Sequence, residues 1–164
     1  MSFSQVGLVN ALKQLSEQLP DFSEREAHTM RLLRITSDRL SSRQNEILKE
    51  YGINENLWFA ILSVYISPNR EILPSRLSDL MDLTRTSATR LSDEMVGRGW
   101  IERSMNEKDR RQIVLRLTKA GENFIKEVQP HMNKGYEPIW KDFNDDEFQQ
   151  LQNLLGKVLT KLGA

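Results

Sequence analysis

Cysteine is missing from all 164 residues. No disulfide framework can brace this chain, and no thiolate can sense an oxidant. Zinc sites built on cysteine are excluded as well, and the two histidines, His28 and His131, have no metal-ligand spacing. Long apolar runs are also missing. The longest strictly apolar stretch, Leu57 to Leu62, is far too short to span a bilayer. Met1 to Pro20 lacks the basic start and apolar run of a signal peptide, so the expectation is a cytoplasmic protein with no membrane contact. Net charge is missing in its turn: 23 Lys and Arg balance 23 Asp and Glu. Repeats, low-complexity tracts and long flexible linkers do not occur, and the length suits one domain, residues 1–164, with a real core.

A catalytic constellation is lacking too. Asp145-Asp146-Glu147 invites a metal reading, but it falls in the first turn of a helix, where carboxylates complement the helix dipole. Gly97-Arg98-Gly99 leads into a strand and lacks the remaining spacing of a phosphate loop. No enzyme and no cofactor are expected.

What the sequence does have is concentrated between residues 70 and 119. This stretch carries 11 basic and 8 acidic side chains, a modest local basic excess that the flanks do not share. Pro74 to Met81 reads as a helix opened by proline. Thr84 is placed to cap a second helix over Arg85 to Met95. At 100° per residue, Ala88, Leu91 and Met95 fall on one side, and Thr86, Thr89, Arg90 and Asp93 on the other. Gly97 and Gly99 are expected to end this helix. The period then changes. Trp100 to Arg103 reads as one strand and Gln112 to Leu117 as another, with Ile113, Leu115 and Leu117 on one face. Ser104 to Arg111 is the charged tip between them. Helix, turn, helix and charged hairpin make a winged helix-turn-helix. A helix fits the DNA major groove, and a thin basic ribbon can reach the neighbouring minor groove.

The flanks read as helices. Gln5 to Leu19 is amphipathic. Ser23 with Glu26 forms a capping-box pattern ahead of a long helix to about Glu50. Leu33, Leu40 and Ile47, seven apart, suit packing against another helix, either of this chain or of a second copy. Asn54 caps a nearly all-apolar segment from Leu57 to Ile66. After the wing, Thr118 caps a helix through Val128, which Pro130 and Pro138 should bend or break. Asn144 with Glu147 repeats the capping pattern. Phe148, Leu151, Leu154, Leu155, Val158, Leu159 and Leu162 then form an apolar stripe that wants a partner surface. The fold class is therefore mostly α with a small β-hairpin wing. The helix-turn-helix unit spans residues 51–120, between N-terminal helices (1–50) and C-terminal helices (121–164) that are the candidates for dimerisation.

Several of these residues resemble a known family. Asp109-Arg110-Arg111, followed by Leu117-Thr118 and Gly121, is similar to the wing signature of MarR-type transcriptional regulators. Arg85-Thr86, Ala88-Thr89-Arg90 and Arg98-Gly99-Trp100-Ile101-Glu102-Arg103 look closer still, to an efflux repressor within that family. Gly52 to Glu55, Glu127-Val128 and Pro130 extend the likeness, which covers roughly residues 22 to 162. The resemblance implies a homodimer on a pseudo-palindromic double-stranded DNA operator, acting as a repressor that a small aromatic or amphipathic effector releases, with multidrug efflux the regulated process. The alternative is an activator or anti-silencing regulator with weak or no effector response.

The site residues follow from both lines of reasoning. Thr86, Thr89 and Arg90 alone would be an ordinary solvated helix face; their place ahead of a basic hairpin favours DNA contact. Arg90 suits bidentate pairing with guanine, the Thr methyls suit thymine methyls, and Arg85 lies nearer the edge, where phosphate is closer. The resemblance implies that Asp109 anchors the wing by accepting hydrogen bonds while Arg110 and Arg111 meet DNA. His28, Met30, Arg31, Trp58 and Tyr65 are candidates for an effector pocket. For the two aromatics among them plain core is the favoured reading, because aromatic residues on an apolar helix are usually core.

Overall fold

The computed structural model describes residues 5–105 and 112–163. The chain divides into two compact units, Met1–Trp58 and Phe59–Ala164, so the boundary falls inside one helix.

The first unit is helical. α1 (Gln5–Gln18) packs on α2 (Glu24–Lys49), and α3 (Glu55–Ile66) begins within it. Leu12, Leu48, Ile53, Leu57 and Trp58 are its buried apolar residues. Ser23 stands at the N-cap of α2 in extended conformation, but its side chain makes no capping bond. Glu26 instead accepts a 3.0 Å hydrogen bond from Arg25 Nη2. That bond holds its carboxyl below the ordinary carboxylate range. The expected capping box is therefore replaced by an exposed ion pair.

The corner between α2 and α3 is built on short polar side chains. Gly52 takes φ 65°, and the Ile53 amide returns to the Leu48 carbonyl at 3.3 Å. Asn54 caps α3 through the Leu57 amide, and Asn45 Oδ1 accepts from the Glu55 amide. Ser41 Oγ donates to Glu55 Oε1 at 2.6 Å. Over its 26 residues α2 buries only Gln44 and Leu48.

The second unit carries the rest of α3 and then a 3₁₀ turn, Pro68–Arg70. Asn69 and Arg70 both take positive φ there, at 55° and 59°. Arg70 lays its guanidinium over the Tyr65 ring at 3.7 Å and donates to the Tyr65 carbonyl. β1 (Glu71–Ile72), α4 (Pro74–Leu80), α5 (Arg85–Gly97), β2 (Ile101–Met105) and β3 (Ile113–Leu117) follow. The sheet is antiparallel in the order β1-β3-β2, so the expected hairpin gains a third strand. Two residues are too short to show a period, which is why sequence patterning misses β1.

Leu115 pairs opposite Arg103 and Leu117 opposite Ile101. Alternation puts Ile113, Leu115 and Leu117 on one face, as expected, but Ile113 is 53% exposed whereas Leu115 is fully buried. Ile113 lies past the edge of the core, paired with exposed Met105. On the opposite face, Arg116 binds Glu71 at 2.6 Å and approaches Glu102 at 3.9 Å, so charge ties the three strands together.

α6 runs from Lys119 to Trp140, straight through Pro130 and Pro138. A helix ending near Val128 is therefore not what forms. Each proline forfeits a backbone donor, but buried Val128 and Met132 lie on both sides of Pro130 and hold the helix in register. Trp140, Phe143 and Phe148 meet with ring centroids 5.5–5.6 Å apart at the corner into α7 (Asp145–Lys161). Asn144 and Glu147 complete the expected capping box there, both bonds 2.9 Å. No residue of α7 is buried.

Candidate nucleic-acid interface

α4 and α5 form the helix-turn-helix. The turn between them closes through Asp82, at φ 49°, with the Leu83 amide returning to the Ser78 carbonyl at 2.9 Å. Asp tolerates the left-handed region better than most residues, which lets a sharp turn form here without glycine. Thr84 caps α5 as expected, its hydroxyl accepting from the Ser87 amide at 3.2 Å.

α5 buries Ala88, Leu91, Ser92 and Met95. Ser92 was not anticipated as an inward residue; its hydroxyl donates to the Ala88 carbonyl at 2.7 Å and so enters the core already satisfied. The helix ends at Gly97, which is still helical. Gly99, at φ 72°, supplies the left-handed residue by itself. The Trp100 amide reaches the Met95 carbonyl and the Gly99 amide the Val96 carbonyl, a paired closure that turns the chain into β2.

The next contacts lock this exit. Thr118 Oγ1 donates to the Gly99 carbonyl at 2.6 Å and accepts from the Gly121 amide at 3.1 Å. Gly121 sits directly against the Trp100 backbone. Trp100 stacks on Phe124 with centroids 4.0 Å apart and planes 18° apart. The end of α5, the root of the sheet and the first turns of α6 are thereby one rigid joint.

That joint aims the outward face of α5. Arg85, Thr86, Thr89, Arg90 and Asp93 line a shallow depression of about 440 Å³. All five are exposed. Thr89 Oγ1 donates to the Arg85 carbonyl at 2.9 Å, so its proton is engaged within the helix. Asp93 Oδ1 lies 2.5 Å from Nη2 of Arg103 on β2. Sequence patterning put Thr86, Thr89, Arg90 and Asp93 on one face of α5, where the structure has them, but missed Arg103 as a neighbour of that face. The only available signal was an opposite charge on the strand that follows. Asp109, Arg110 and Arg111 lie outside the described residues.

The effector candidates occupy unlike environments. Trp58 is 3% exposed and belongs to the core, whereas Met30 is 70% exposed. Arg31 is exposed, His28 is half-buried, and Tyr65 lies under Arg70. His28 Nε2 is shielded from solvent and has no hydrogen-bond partner among the described residues. Among the described residues no group of His, Asp and Glu could hold a metal ion, and no helix is long and apolar enough to cross a membrane.

The MarR family profile matches residues 53–113, from the end of the α2–α3 corner to the start of β3. Over 99% of its length the chain is 35% identical to the transcriptional repressor MprA of Escherichia coli K12, 92% of which is covered. The chain belongs to the MarR family. Within that family it is also 25% identical over 79% of its length to the multiple antibiotic resistance protein MarR of E. coli K12, covering 89% of that protein. The fold of this MarR-family chain superposes on a crystal structure of an E. coli MarR variant complexed with operator DNA. The TM-score is 0.71 at 24% identity, covering 88% of this chain and 96% of that one. The mostly helical architecture with a small antiparallel sheet is thus the winged-helix fold of the family.

Proposed function

We propose that this chain is a sequence-specific DNA-binding transcriptional regulator that acts as a repressor. The observation that carries it is the outward face of α5. Arg85, Thr86, Thr89 and Arg90 project from a helix whose other side is locked into the core. Among the described residues no side chain holds the Arg85 or Arg90 guanidinium. Such groups are available for guanine edges and phosphates. The likeness to a transcriptional repressor over nearly the whole chain supports repression rather than activation.

In this reading the protein is a homodimer in the cytoplasm. Support comes from the apolar stripe of α7, where Leu154, Leu155, Val158, Leu159 and Leu162 are all exposed, and from the seam on α2. Two-fold symmetry then makes the operator pseudo-palindromic, with half-sites about 34–36 Å apart or a multiple of that. The wing, with Asp109 as anchor, carries Arg110 and Arg111 to the minor groove. The rival reading is an activator or anti-silencing regulator with weak or no effector response.

Release by a small aromatic or amphipathic compound completes the proposal, supported by the likeness to a multiple antibiotic resistance protein. His28, Met30, Arg31, Trp58 and Tyr65 remain the candidates for contact. An effector acts only through different affinities for DNA-competent and incompetent states, and about 100-fold is worth about 2.7 kcal/mol. The test is selection of genomic fragments by the purified protein, followed by titration of the selected operator with aromatic acids, uncouplers and cationic drugs. Specific retention that weakens steeply with salt is expected, as is relief by one compound class. Binding without salt dependence would instead point to a winged helix used for protein contact.

A further inference from the structure

The recognition face carries one carboxylate. Asp93 lies in line with Thr86, Thr89 and Arg90 and lines the same depression. A bare carboxylate there would repel the phosphates that the arginines attract. It is not bare, because Arg103 Nη2 sits 2.5 Å from its Oδ1. Arg103 is well placed to be a fixed partner. It stands on β2 opposite fully buried Leu115 of the central strand, and two residues from buried Ile101 on the same face. The side chains of Arg103 and Asp93 are 43% and 56% exposed, so the pair contributes little to folding. Stability does not account for it.

We propose that Arg103 is a positioning residue for DNA recognition. Its guanidinium cancels the Asp93 charge on the reading face and ties the second half of α5 to the root of the wing. This rests on α5 being the recognition helix. Helix and wing then approach DNA with a set angle between them. Asp93 is held away from phosphate, and Arg90, one turn earlier, meets the major groove without a competing carboxylate.

The test compares operator binding by the wild type, Arg103→Ala, Arg103→Lys and the double variant Arg103→Ala/Asp93→Asn, by fluorescence anisotropy at several salt concentrations. Arg103→Ala exposes the carboxylate and should weaken binding by about tenfold at low salt, with the deficit shrinking as salt screens it. Removing that carboxylate in the double variant should recover most of the loss, and Arg103→Lys, which keeps the charge, should fall between. Thermal melting should change little in all three. Two results overturn the proposal. One is a double variant as weak as Arg103→Ala, which would make Arg103 itself a DNA contact. The other is Arg103→Ala binding like the wild type. A wild type that binds no DNA overturns the recognition-helix reading as well, so the two failures are distinguishable.

Discussion

Gly121 is the residue at which two physical arguments predict opposite signs. It lies in the first turn of α6, where helix propensity alone makes Gly→Ala stabilising by about 1 kcal/mol. The packing says otherwise. A Cβ on Gly121 would fall 2.2 Å from the Trp100 carbonyl oxygen, 3.0 Å from its carbonyl carbon and 2.9 Å from Leu117 Cδ1. An ordinary C···O approach is about 3.3 Å, so backbone must move by about 1 Å. Leu117 can rotate away, but the Trp100 carbonyl cannot, since it accepts from the Thr118 amide at 2.9 Å and lies within 3.0 Å of the Thr118 hydroxyl. Overpacking of this kind costs about 1–3 kcal/mol. Displacing α6 also loosens the Thr118 cap, worth about 1 kcal/mol, and the Trp100–Phe124 stack, worth about 0.5–1.5 kcal/mol. Gly121→Ala should therefore destabilise by about 2–4 kcal/mol after the propensity gain is subtracted. Urea denaturation followed by tryptophan fluorescence at fixed protein concentration reads this as a lower midpoint with an unchanged slope. Gly156→Ala is the internal control. It is in mid-helix with nothing within 4 Å of the added carbon, and should stabilise by about 0.5–1 kcal/mol. A Gly121→Ala protein as stable as the wild type would refute the claim that α6 is clamped to the Trp100 backbone.

Three further outcomes are expected. Arg90→Ala should cost about 1–3 kcal/mol of specific operator binding and relax one base position, measured by competition with substituted operators. Leu155→Asp places a charge in the apolar stripe of α7, where Leu155 is 42% exposed in the isolated chain. Light scattering should give a dimer for the wild type and a shift to monomer for the variant; a wild-type monomer at micromolar concentration would end the dimer reading. Glu122 accepts hydrogen bonds from Lys119 and Lys126, which hold its carboxyl down to about 2 from 4.5. A depressed pKa stabilises the fold above the unfolded value and is lost as pH falls toward the folded one. Acid titration of Glu122→Gln should therefore show a shallower loss of stability between about pH 4.5 and 2 than the wild type, and a small one, because the group is exposed.

The amino-acid sequence by itself determined whatever is decided within four residues along the chain. Thr84, Thr118, Asn54 and Asn144 each cap the helix that follows, because the bond runs to an amide three residues on and needs no distant partner. The same holds for the two sides of α5, since the helical period sorts Arg85, Thr86, Thr89 and Arg90 from Ala88, Leu91 and Met95 before any tertiary contact exists. Tertiary structure decided the rest. α6 continues through Pro130, where Val128 and Met132 are buried on either side, and runs on past Pro138 to Trp140. Ile113 obeys its strand alternation and is still exposed, since alternation sets the face and not where the core ends. β1 exists only because Arg116, 45 residues further on, offers a strand and a charge for Glu71. Arg103 joins the recognition face for the same reason: which strand residue comes to lie beside Asp93 depends on how β2 packs against α5, and no local spacing encodes that distance.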